Sequence, residues 1–361
     1  MPSDESPSEE IRAHLEEVAS ERIFGTAFHV AVLSPRAEFS LSVGADALGI
    51  RAHSSQLYNV WCALKPVVAL AAAELAEAHG VDPDTSVSGI AKQFPDCFAT
   101  LRQIMSHRFA GVYPSLAQVA LCPLAERDQL ISRHLGTGPS SGYSEYSSQA
   151  ILLDVIRSLS GEEPVGYLQE RTLTDLHLEG KLSFGFTRSQ LEHVQEGIGL
   201  YVLGLPHRAL PLLSDRTPFL ACDDRGRVGG FATAAGLAGF YNSVLNVLNG
   251  EPRGGLPAPE YLRDLVYHPT PRIPDPVLGR DCAFAGGFMV SLPDHGFGDR
   301  PSAAAVGHSG FSGSSWGFAD PEHHLSMGFI GNGVIRDSES AAVLRRGVID
   351  VVCCALMRQA K

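Results

Sequence analysis

The stretch QLYNVWCALKPVVALAAAELAEAHG, residues 56–80, places a cysteine, Cys62, three residues before a lysine, Lys65. The alanine- and leucine-rich run that follows is typical of an α-helix, and His79-Gly80 is typical of a helix end because glycine adopts the left-handed conformation found there. Residues three apart lie on one face of a helix, so the thiol and the amine are predicted to be neighbours. Covalent catalysis uses such a pair, although a lone cysteine beside an apolar helix is more often a buried small hydrophobe.

Strand patterns lie on both sides of this predicted helix. Ahead of it, Ala27–Leu33 and Glu38–Val43 are apolar or alternating, and the short segment between them predicts a β-hairpin. Further strands are predicted at Cys282–Leu292, Ala303–His308, Ser315–Ala319 and Leu325–Ile330. Helical periodicity marks Glu10–Ala19, Ala235–Leu248 and Ser340–Ala360. The sequence therefore predicts an α+β fold, in which an antiparallel sheet built from both ends of the chain is flanked by N- and C-terminal helices.

The order of these patterns also predicts a division into domains. Residues 1–10 are acidic and are expected to form a disordered tail. Residues 11–85 and 234–361 are expected to form one α/β sheet domain. Strand signals become sparse between them, so residues 86–233 are expected to form a mostly helical domain.

Composition narrows the class of protein. The chain has 361 residues, of which 44% are hydrophobic and 19% charged, and a formal net charge of -12 without a basic run, which argues against nucleic acid as a partner. No apolar stretch approaches the ~20 residues needed to span a bilayer, and no secretory signal is visible, so we expect a cytoplasmic protein without a membrane partner. The seven cysteines lack a Cys-x-x-Cys spacing, which favours reduced thiols over disulfides or a zinc site.

Two later segments extend the pattern that begins at residue 56. The first is SEYSSQAILLDVIRSLSG, residues 144–161, and the second is AVGHSGFSGSSWGFADPE, residues 305–322. The three segments resemble, in order, the three motifs of the serine β-lactamase and penicillin-binding-protein superfamily, and most closely its class C-like esterase and transacylase branch. Residues 101–108 and 229–240 resemble supporting segments, so the resemblance extends over residues 25–355. It implies a β-lactamase-like fold.

The first motif of that family is Ser-x-x-Lys, in which the serine is acylated and the lysine helps to remove its proton. Here Cys62 takes the serine position and Lys65 matches the lysine. This is the main departure from the family pattern. Since a thiol ionises more readily than a hydroxyl, a sulfur nucleophile can keep the mechanism, and we expect Cys62 and Lys65 to rest as an ion pair.

In the second motif, Tyr146 matches the tyrosine that, by resemblance, shuttles a proton to the leaving group and from the incoming acceptor. Ser148 stands where many members have asparagine and is assigned to substrate binding. A hydroxyl is shorter than an amide and has one donor hydrogen in place of two, so contact with a substrate amide is expected to change.

The third motif, His308-Ser309-Gly310, stands where lactamases have Lys-Thr-Gly and is similar to the histidine form of the esterase branch. Loss of the lysine removes the partner of a lactam carboxylate, which argues against β-lactamase activity. The resemblance implies that these three residues bind substrate. It also implies that the backbone N–H groups of Cys62 and Phe311 form the oxyanion hole.

Three other patterns have simpler interpretations. Residues 313–317 fit Gly-x-Ser-x-Gly, but that nucleophile elbow needs a helix directly after it, where a strand and a turn are predicted here. Glu322-His323-His324 lacks the i, i+4 spacing of a helical zinc site and favours a solvated turn. Cys353 and Cys354 lie in a helical pattern and are expected to be core residues.

The sequence thus predicts an acyltransferase or hydrolase that forms an acyl-Cys62 thioester and needs no metal or cofactor. Because amines attack thioesters well relative to water, the cysteine favours a transacylase that passes an acyl group from an ester or thioester to an amine or alcohol without ATP, for instance in biosynthesis. Its partners would be a small-molecule acyl donor and a nucleophilic acceptor. Three alternatives stay open: a carboxylesterase, a non-catalytic binding protein with the same fold, and a cysteine introduced in place of serine by engineering.

Overall fold

The computed structural model describes residues 6–111, 122–123, 126–137, 141–194, 198–199, 202–203, 227, 229–268, 270–335 and 337–358. The helices of this part of the chain are α1 Pro7–Glu21, α2 Lys65–Ala78, α3 Leu101–Met105, α4 Arg127–Ser132, α5 Ser147–Ser160, α6 Pro164–Tyr167, α7 Leu173–Asp175, α8 Arg188–Val194, α9 Ala234–Leu248, α10 Pro259–Tyr267 and α11 Ser338–Arg358. No helix among the described residues has both the length and the apolar composition to cross a membrane.

The strands form one large sheet and two small ones. Their bounds are β1 Ala27–Ser34, β2 Ala37–Gly44, β3 Tyr58–Asn59, β4 Leu182–Ser183, β5 Val202–Leu203, β6 Phe231–Ala232, β7 Ile273–Asp275, β8 Arg280–Ala285, β9 Phe288–Val290, β10 Val306–Ser309, β11 Ser315–Asp320, β12 Leu325–Gly331 and β13 Gly333–Val334. The large sheet has 8 strands in the order β2-β1-β12-β11-β10-β9-β8-β7. The small sheets are β3-β6-β4 and the parallel pair β13-β5.

Strands from the two ends of the chain pair next to one edge strand, β2, of the large sheet. Strand β1 pairs with β12 in antiparallel register, with Phe28 opposite Gly331 and Leu33 opposite Ser326. The other neighbouring strands of this sheet also pair antiparallel. These pairings confirm the predicted α+β class and the antiparallel sheet.

Helices cover both faces of the sheet because side chains alternate along its strands. On one face, Phe28 and Val30 of β1 share a buried cluster with residues of α1 and α11. On the other face, Ala31 lies in a cluster with residues of α2 and α9. Glycine in a central strand lets α9 approach closely, since a Cβ on Gly317 would lie 2.4 Å from the Tyr241 ring.

Several element bounds differ from the predictions. Residues 7–10, predicted as part of a disordered tail, form the first turn of α1, because Ser6 and Glu9 form a capping box at its start. The predicted strand Cys282–Leu292 is instead the hairpin β8–β9. Its turn is Gly286-Gly287, with φ of 58° and 87°, a conformation that suits two-residue hairpin loops.

Residues 1–5 and much of 86–233 lie outside the described residues, as does Cys222. The described part of 86–233 contains helices α3 to α8 and the short strands β4, β5 and β6. The division into a sheet domain, residues 11–85 and 234–361, and a mostly helical domain, residues 86–233, remains our proposal.

Candidate active site

The predicted nucleophile lies at the junction of two helices. Cys62 belongs to a 3₁₀ helix, Trp61–Leu64, that runs directly into α2, and its residue is 9% exposed. Lys65 is the first residue of α2 and is fully buried. Contrary to the prediction, the α-helix starts at the lysine, so the cysteine sits on the tighter turn before it.

The Lys65 ammonium is held by two backbone carbonyls. Its Nζ donates to the carbonyl oxygens of Ser144 at 2.5 Å and Glu145 at 2.9 Å. Burial lowers the pKa of Lys65, and the nearby Cys62 and the Glu145 carboxylate act in the opposite direction. A lysine with a lowered pKa is unprotonated for a larger fraction of the time near neutral pH, and only the unprotonated amine can act as a general base.

Tyr143 completes a three-residue cluster with Cys62 and Lys65. Its side chain packs in the same buried cluster as Cys62, with its hydroxyl close enough to the thiol for the two groups to interact, and the Lys65 Nζ lies 4.5 Å from the centroid of its ring. Burial, followed by the charge of Cys62, raises the pKa of Tyr143 well above its usual value. The phenol therefore keeps its proton, and its position suits a group that relays protons to and from the sulfur.

Two aromatic side chains hold the Tyr143 ring. The imidazole of His107 lies 4.7 Å away, and the Phe284 ring stacks at 5.4 Å, both measured between centroids. His107 Nδ1 also accepts the backbone N–H of Ser144 at 3.1 Å. Burial lowers the pKa of His107 well below its usual value, so the ring remains a neutral acceptor. His107 thus fixes the segment that presents both the tyrosine and the two lysine-binding carbonyls.

Tyr146, which the resemblance to the family pattern assigned as the catalytic tyrosine, lies elsewhere. It precedes α5, is buried, and its hydroxyl accepts a hydrogen bond from Arg227 Nη1 at 3.2 Å. The same guanidinium binds both carboxylate oxygens of Asp128. The structure therefore places Tyr143, and not Tyr146, against the Cys62–Lys65 pair, because the extended segment before the helix is the part that lines the cluster.

The sequence contains one signal that could have pointed to Tyr143 as well. Tyr143-Ser144 is a second Tyr-Ser pair, three residues ahead of Tyr146-Ser147. The chain thus offers two candidates for the second motif, and the resemblance to the family pattern favoured the later one.

Ser148, predicted to bind substrate, is buried in the first turn of α5. Its N–H donates to Ser144 Oγ at 2.9 Å, and its hydroxyl faces the Ser144 carbonyl at 3.5 Å. These contacts correct the assignment, since the side chain serves the local turn. Counted from Tyr143, the position two residues on is Glu145, which is half-buried.

The third motif lies where β10 ends. His308 is fully buried, its Nδ1 donates to the Ser309 carbonyl at 2.9 Å, and its Nε2 has no hydrogen-bond partner among the described residues. Burial, with a smaller effect of the Lys65 charge, lowers the pKa of His308 to about 3. The imidazole is therefore neutral at ordinary pH, which suits a polar contact and excludes a cationic one.

Gly310 has a structural reason to be glycine. A Cβ at this position would lie 2.4 Å from the Val60 carbonyl oxygen and 2.2 Å from Ser315 Oγ. The neighbour that requires glycine is therefore the chain just before Cys62, where the prediction expected a substrate. Ser309 beside it is half-buried, with its Oγ 3.8 Å from Met289 Sδ.

The two predicted oxyanion-hole residues share one structural feature. Cys62 lies in the first turn of one 3₁₀ helix, and Phe311 begins another, Phe311–Gly313. Backbone N–H groups in a first helical turn have no acceptor within their own helix. The rings of Trp61 and Phe311 are 5.4 Å apart, so the two turns are neighbours. This arrangement favours the predicted oxyanion hole, which remains a proposal.

The three other sequence patterns, residues 313–317, residues 322–324 and the cysteine pair near the end of the chain, have local structural roles. Ser315 starts β11 and donates its hydroxyl to the Val60 carbonyl at 2.9 Å, and no helix follows it, so it is not a nucleophile elbow. His323 Nδ1 contacts Asp320 Oδ2 at 2.8 Å in the turn between β11 and β12. Cys353 and Cys354 are half-buried residues of α11.

Comparison with solved structures shows the same fold. EstCE1, a hydrolase with promiscuous acyltransferase activity, has a TM-score of 0.73 at 13% identity, covering 96% of this chain and 98% of that one. Simvastatin synthase (LovD) from Aspergillus terreus has a TM-score of 0.73 at 14% identity, with the same coverage. A penicillin-binding protein homologue from Caulobacter crescentus has a TM-score of 0.71 at 20% identity, covering 96% and 97%.

Sequence comparisons complete the assignment. No curated protein gives a significant match. The sequence model of the β-lactamase family matches residues 16–348, nearly the whole chain. On this match, and with the β-lactamase-like fold confirmed, the chain belongs to the β-lactamase family.

Proposed function

We propose that this protein is an acyl-transfer enzyme that works through a covalent acyl-Cys62 thioester. The observation that carries the proposal is the cluster of the Cys62 thiol, the buried Lys65 amine and the Tyr143 hydroxyl. A nucleophile with a base and a proton relay in contact is what acyl transfer requires. Two structurally similar proteins support the class of reaction, since one is a hydrolase with acyltransferase activity and one is a synthase.

In the first half-reaction, the Cys62 sulfur attacks the acyl carbon of an ester or thioester. The S–C bond forms and the bond to the leaving oxygen or sulfur breaks, while the thiol proton passes through Lys65 and Tyr143 to the leaving group. The N–H groups of Cys62 and Phe311 would stabilise the negative oxygen of the tetrahedral intermediate.

In the second half-reaction, an acceptor attacks the thioester carbon. The new C–N or C–O bond forms as the C–S bond breaks, and the acceptor proton returns through Tyr143 to the Cys62 sulfur. Because amines compete well with water for thioesters, we propose transfer to an amine as the main outcome. Transfer to water would make the protein a carboxylesterase.

The proposal is tested by the products formed from a simple thioester, such as an acetyl thioester, with and without an amine. We expect Cys62→Ala to abolish turnover and Cys62→Ser to lower the ratio of amide to free acid, because an ester resists amines more than a thioester does. Full turnover by Cys62→Ala would overturn the proposal of an acyl-Cys62 intermediate. An unchanged ratio of amide to free acid in Cys62→Ser would overturn the preference for transfer and would leave the carboxylesterase as the proposed function.

A non-catalytic binding protein with this fold is the alternative from another class. It predicts no Cys62-dependent product from any ester or thioester. The contact of Tyr143 with the sulfur argues against it, since a binding protein has no need of a proton relay beside a thiol.

A further inference from the structure

Two large aromatic side chains flank the proposed nucleophile. Trp61 directly precedes Cys62, and Phe311 directly follows the third motif. Their ring centroids are 5.4 Å apart with planes inclined at 51°. Phe311 is 50% exposed and Trp61 is partly exposed, although most large apolar side chains of the described chain are buried.

The backbone under Trp61 is rigidly held. Its φ is 49°, which is unusual for a bulky residue, and its N–H donates to Asn59 Oδ1 at 3.0 Å. Gly229 packs against its carbonyl so closely that a Cβ there would lie 2.0 Å from the Trp61 oxygen. A strained backbone persists only where its surroundings fix it, so the residue that carries the indole has a fixed backbone position directly before Cys62.

Phe311 is also anchored. The preceding Gly310 donates its N–H to the Ser315 carbonyl at 2.7 Å, and Gly313 closes the turn by donating to the Gly310 carbonyl at 3.2 Å. The backbone of Phe311 is therefore held, and its ring contacts the Trp61 ring while the residue is 50% exposed. An exposed, preorganised aromatic surface favours apolar ligands, because stacking on it removes apolar area from water.

The positions of the Trp61 and Phe311 rings indicate which part of the substrate they would contact. The backbone N–H of Phe311 is one donor of the proposed oxyanion hole, so the acyl carbonyl would bind within one residue of its ring. Two groups are attached to that carbonyl carbon, the acyl chain and the leaving group, and only the acyl chain stays on the enzyme through both half-reactions.

We propose that Trp61 and Phe311 form an acyl-chain subsite and that the preferred donors carry an aromatic or extended apolar acyl group. The subsite deepens the proposed function and rests on it. A small or charged acyl group would leave the aromatic surface uncovered.

The test compares acylation of Cys62 by acetyl, hexanoyl and phenylacetyl thioesters of one common thiol. In the native protein, kcat/KM for the phenylacetyl donor is expected to exceed that for the acetyl donor by about tenfold or more, in line with the discrimination that apolar pockets achieve. Phe311→Ala is expected to lower this ratio by about tenfold. Phe98→Ala, which removes a 75% exposed phenyl ring that is not part of the site, should leave the ratio unchanged.

An equal loss for all three donors, or an unchanged ratio in Phe311→Ala, would overturn the subsite. Selectivity that follows the leaving thiol when the acyl group is held constant would overturn it as well.

A binding measurement separates the subsite from the acyl-enzyme itself. The unreactive phenylacetamide should change the tryptophan emission of the native protein and not that of Trp61→Phe, in which Trp316 is the remaining tryptophan. If no donor acylates Cys62 while this emission change persists, the proposed function fails and the subsite stands. If acylation proceeds and phenylacetamide has no effect on the emission, the subsite fails alone.

Discussion

Of two tyrosines three residues apart, Tyr143 and Tyr146, only Tyr143 is placed to take part in the proposed acyl transfer. The Tyr143 hydroxyl contacts the Cys62 thiol, whereas the Tyr146 hydroxyl is bound by Arg227. Tyr146 lies within the second-motif segment, residues 144–161, and Tyr143 directly precedes that segment, but the direction of each side chain depends on where α5 begins. That boundary is a tertiary property, since packing and capping set it.

The first prediction concerns these two residues. Tyr143→Phe is expected to lower the single-turnover acylation rate by about 10²–10⁴, the usual contribution of a positioned general acid or base. Tyr146→Phe removes a hydroxyl outside the cluster and should cost less than about tenfold, as for a group that does not move the reacting proton. Rapid-quench mass measurements of acylated protein give both rates. The reverse order of effects would return the catalytic role to Tyr146.

Residue types were more predictable than residue contacts. The resemblance identified Cys62 and Lys65, and the structure brings them together with Tyr143. His107 was not singled out, because the sequence gives no sign that a histidine 37 residues away accepts the Ser144 N–H. Ser148 was assigned to substrate, yet it is buried in the helix start that it helps to form.

At the scale of elements, the turn that carries Cys62 depends on close approach of other segments. Gly229, the first residue of a supporting segment in the sequence, has φ of 138° and abuts the Trp61 carbonyl. The next residue, Gly230, accepts the Val60 N–H at 2.8 Å. The segment leading into β6 thus supports the turn that carries Cys62 from one side, while Gly310 supports it from the other.

The second prediction follows from this packing. Gly229→Ala adds a methyl group that would lie 2.0 Å from the Trp61 oxygen at a φ that L-residues rarely adopt. We expect a loss of about 2–5 kcal/mol in the free energy of unfolding, from backbone strain together with overpacking. Urea unfolding measures it.

Gly89→Ala is the matched control for this substitution, because no atom lies within 4 Å of a Cβ placed there. A loss in Gly229→Ala no larger than in Gly89→Ala would contradict the proposed support of the Cys62 turn.

The sequence predicted best the helices and strands whose apolar residues recur with clear helical or strand periodicity. Helix α9 begins one residue before its predicted start, and β12 ends one residue after its predicted end. The β8–β9 hairpin was missed because its apolar residues run through the Gly286-Gly287 turn without a polar break. In such a run, the turn is visible only through the glycines.

At the scale of the whole molecule, the interior contains several neutral histidines. Burial lowers the pKa of His29 to about 4 and the pKa values of His295 and His308 to about 3. Burial also lowers the pKa of His107. As the pH falls below 6.5, the unfolded chain takes up protons at these histidines before the folded protein does. Their contribution to stability is therefore complete above about pH 6.5 and is lost progressively towards the folded-state pKa values.

The third prediction is a loss of stability in mild acid. Each of these histidines should reduce the free energy of unfolding by on the order of 1–2 kcal/mol between pH 7 and pH 5. Urea unfolding across this range measures the slope of stability against pH, and His295→Gln should make that slope shallower.

The exposed His177 is the control for this slope, and asparagine suits its φ of 57°. His177→Asn should leave the slope unchanged. Stability that stays constant down to pH 5 would contradict the burial of neutral histidines.

The overall architecture could be predicted from the sequence because apolar residues near both ends of the chain show clear strand and helix periodicity. The pairing of β1 with β12 agrees with the prediction that one sheet uses both ends of the chain, although that prediction did not specify which strands pair. The contacts that define the candidate site join residues about 80 positions apart, as Lys65 and Ser144 are. Such contacts depend on how α2 packs against the start of α5, and periodicity carries no information about that packing.

The proposed chemistry of the whole molecule requires that acyl groups pass through a thioester on Cys62. Peptide-resolved mass spectrometry of the protein, quenched during turnover of a thioester donor, detects such a thioester directly. We predict one added acyl group on the peptide that contains Cys62, removable by neutral hydroxylamine, retained in Cys354→Ala and absent in Cys62→Ala. An acyl group on another residue, or one that persists in Cys62→Ala, would refute the thioester on Cys62.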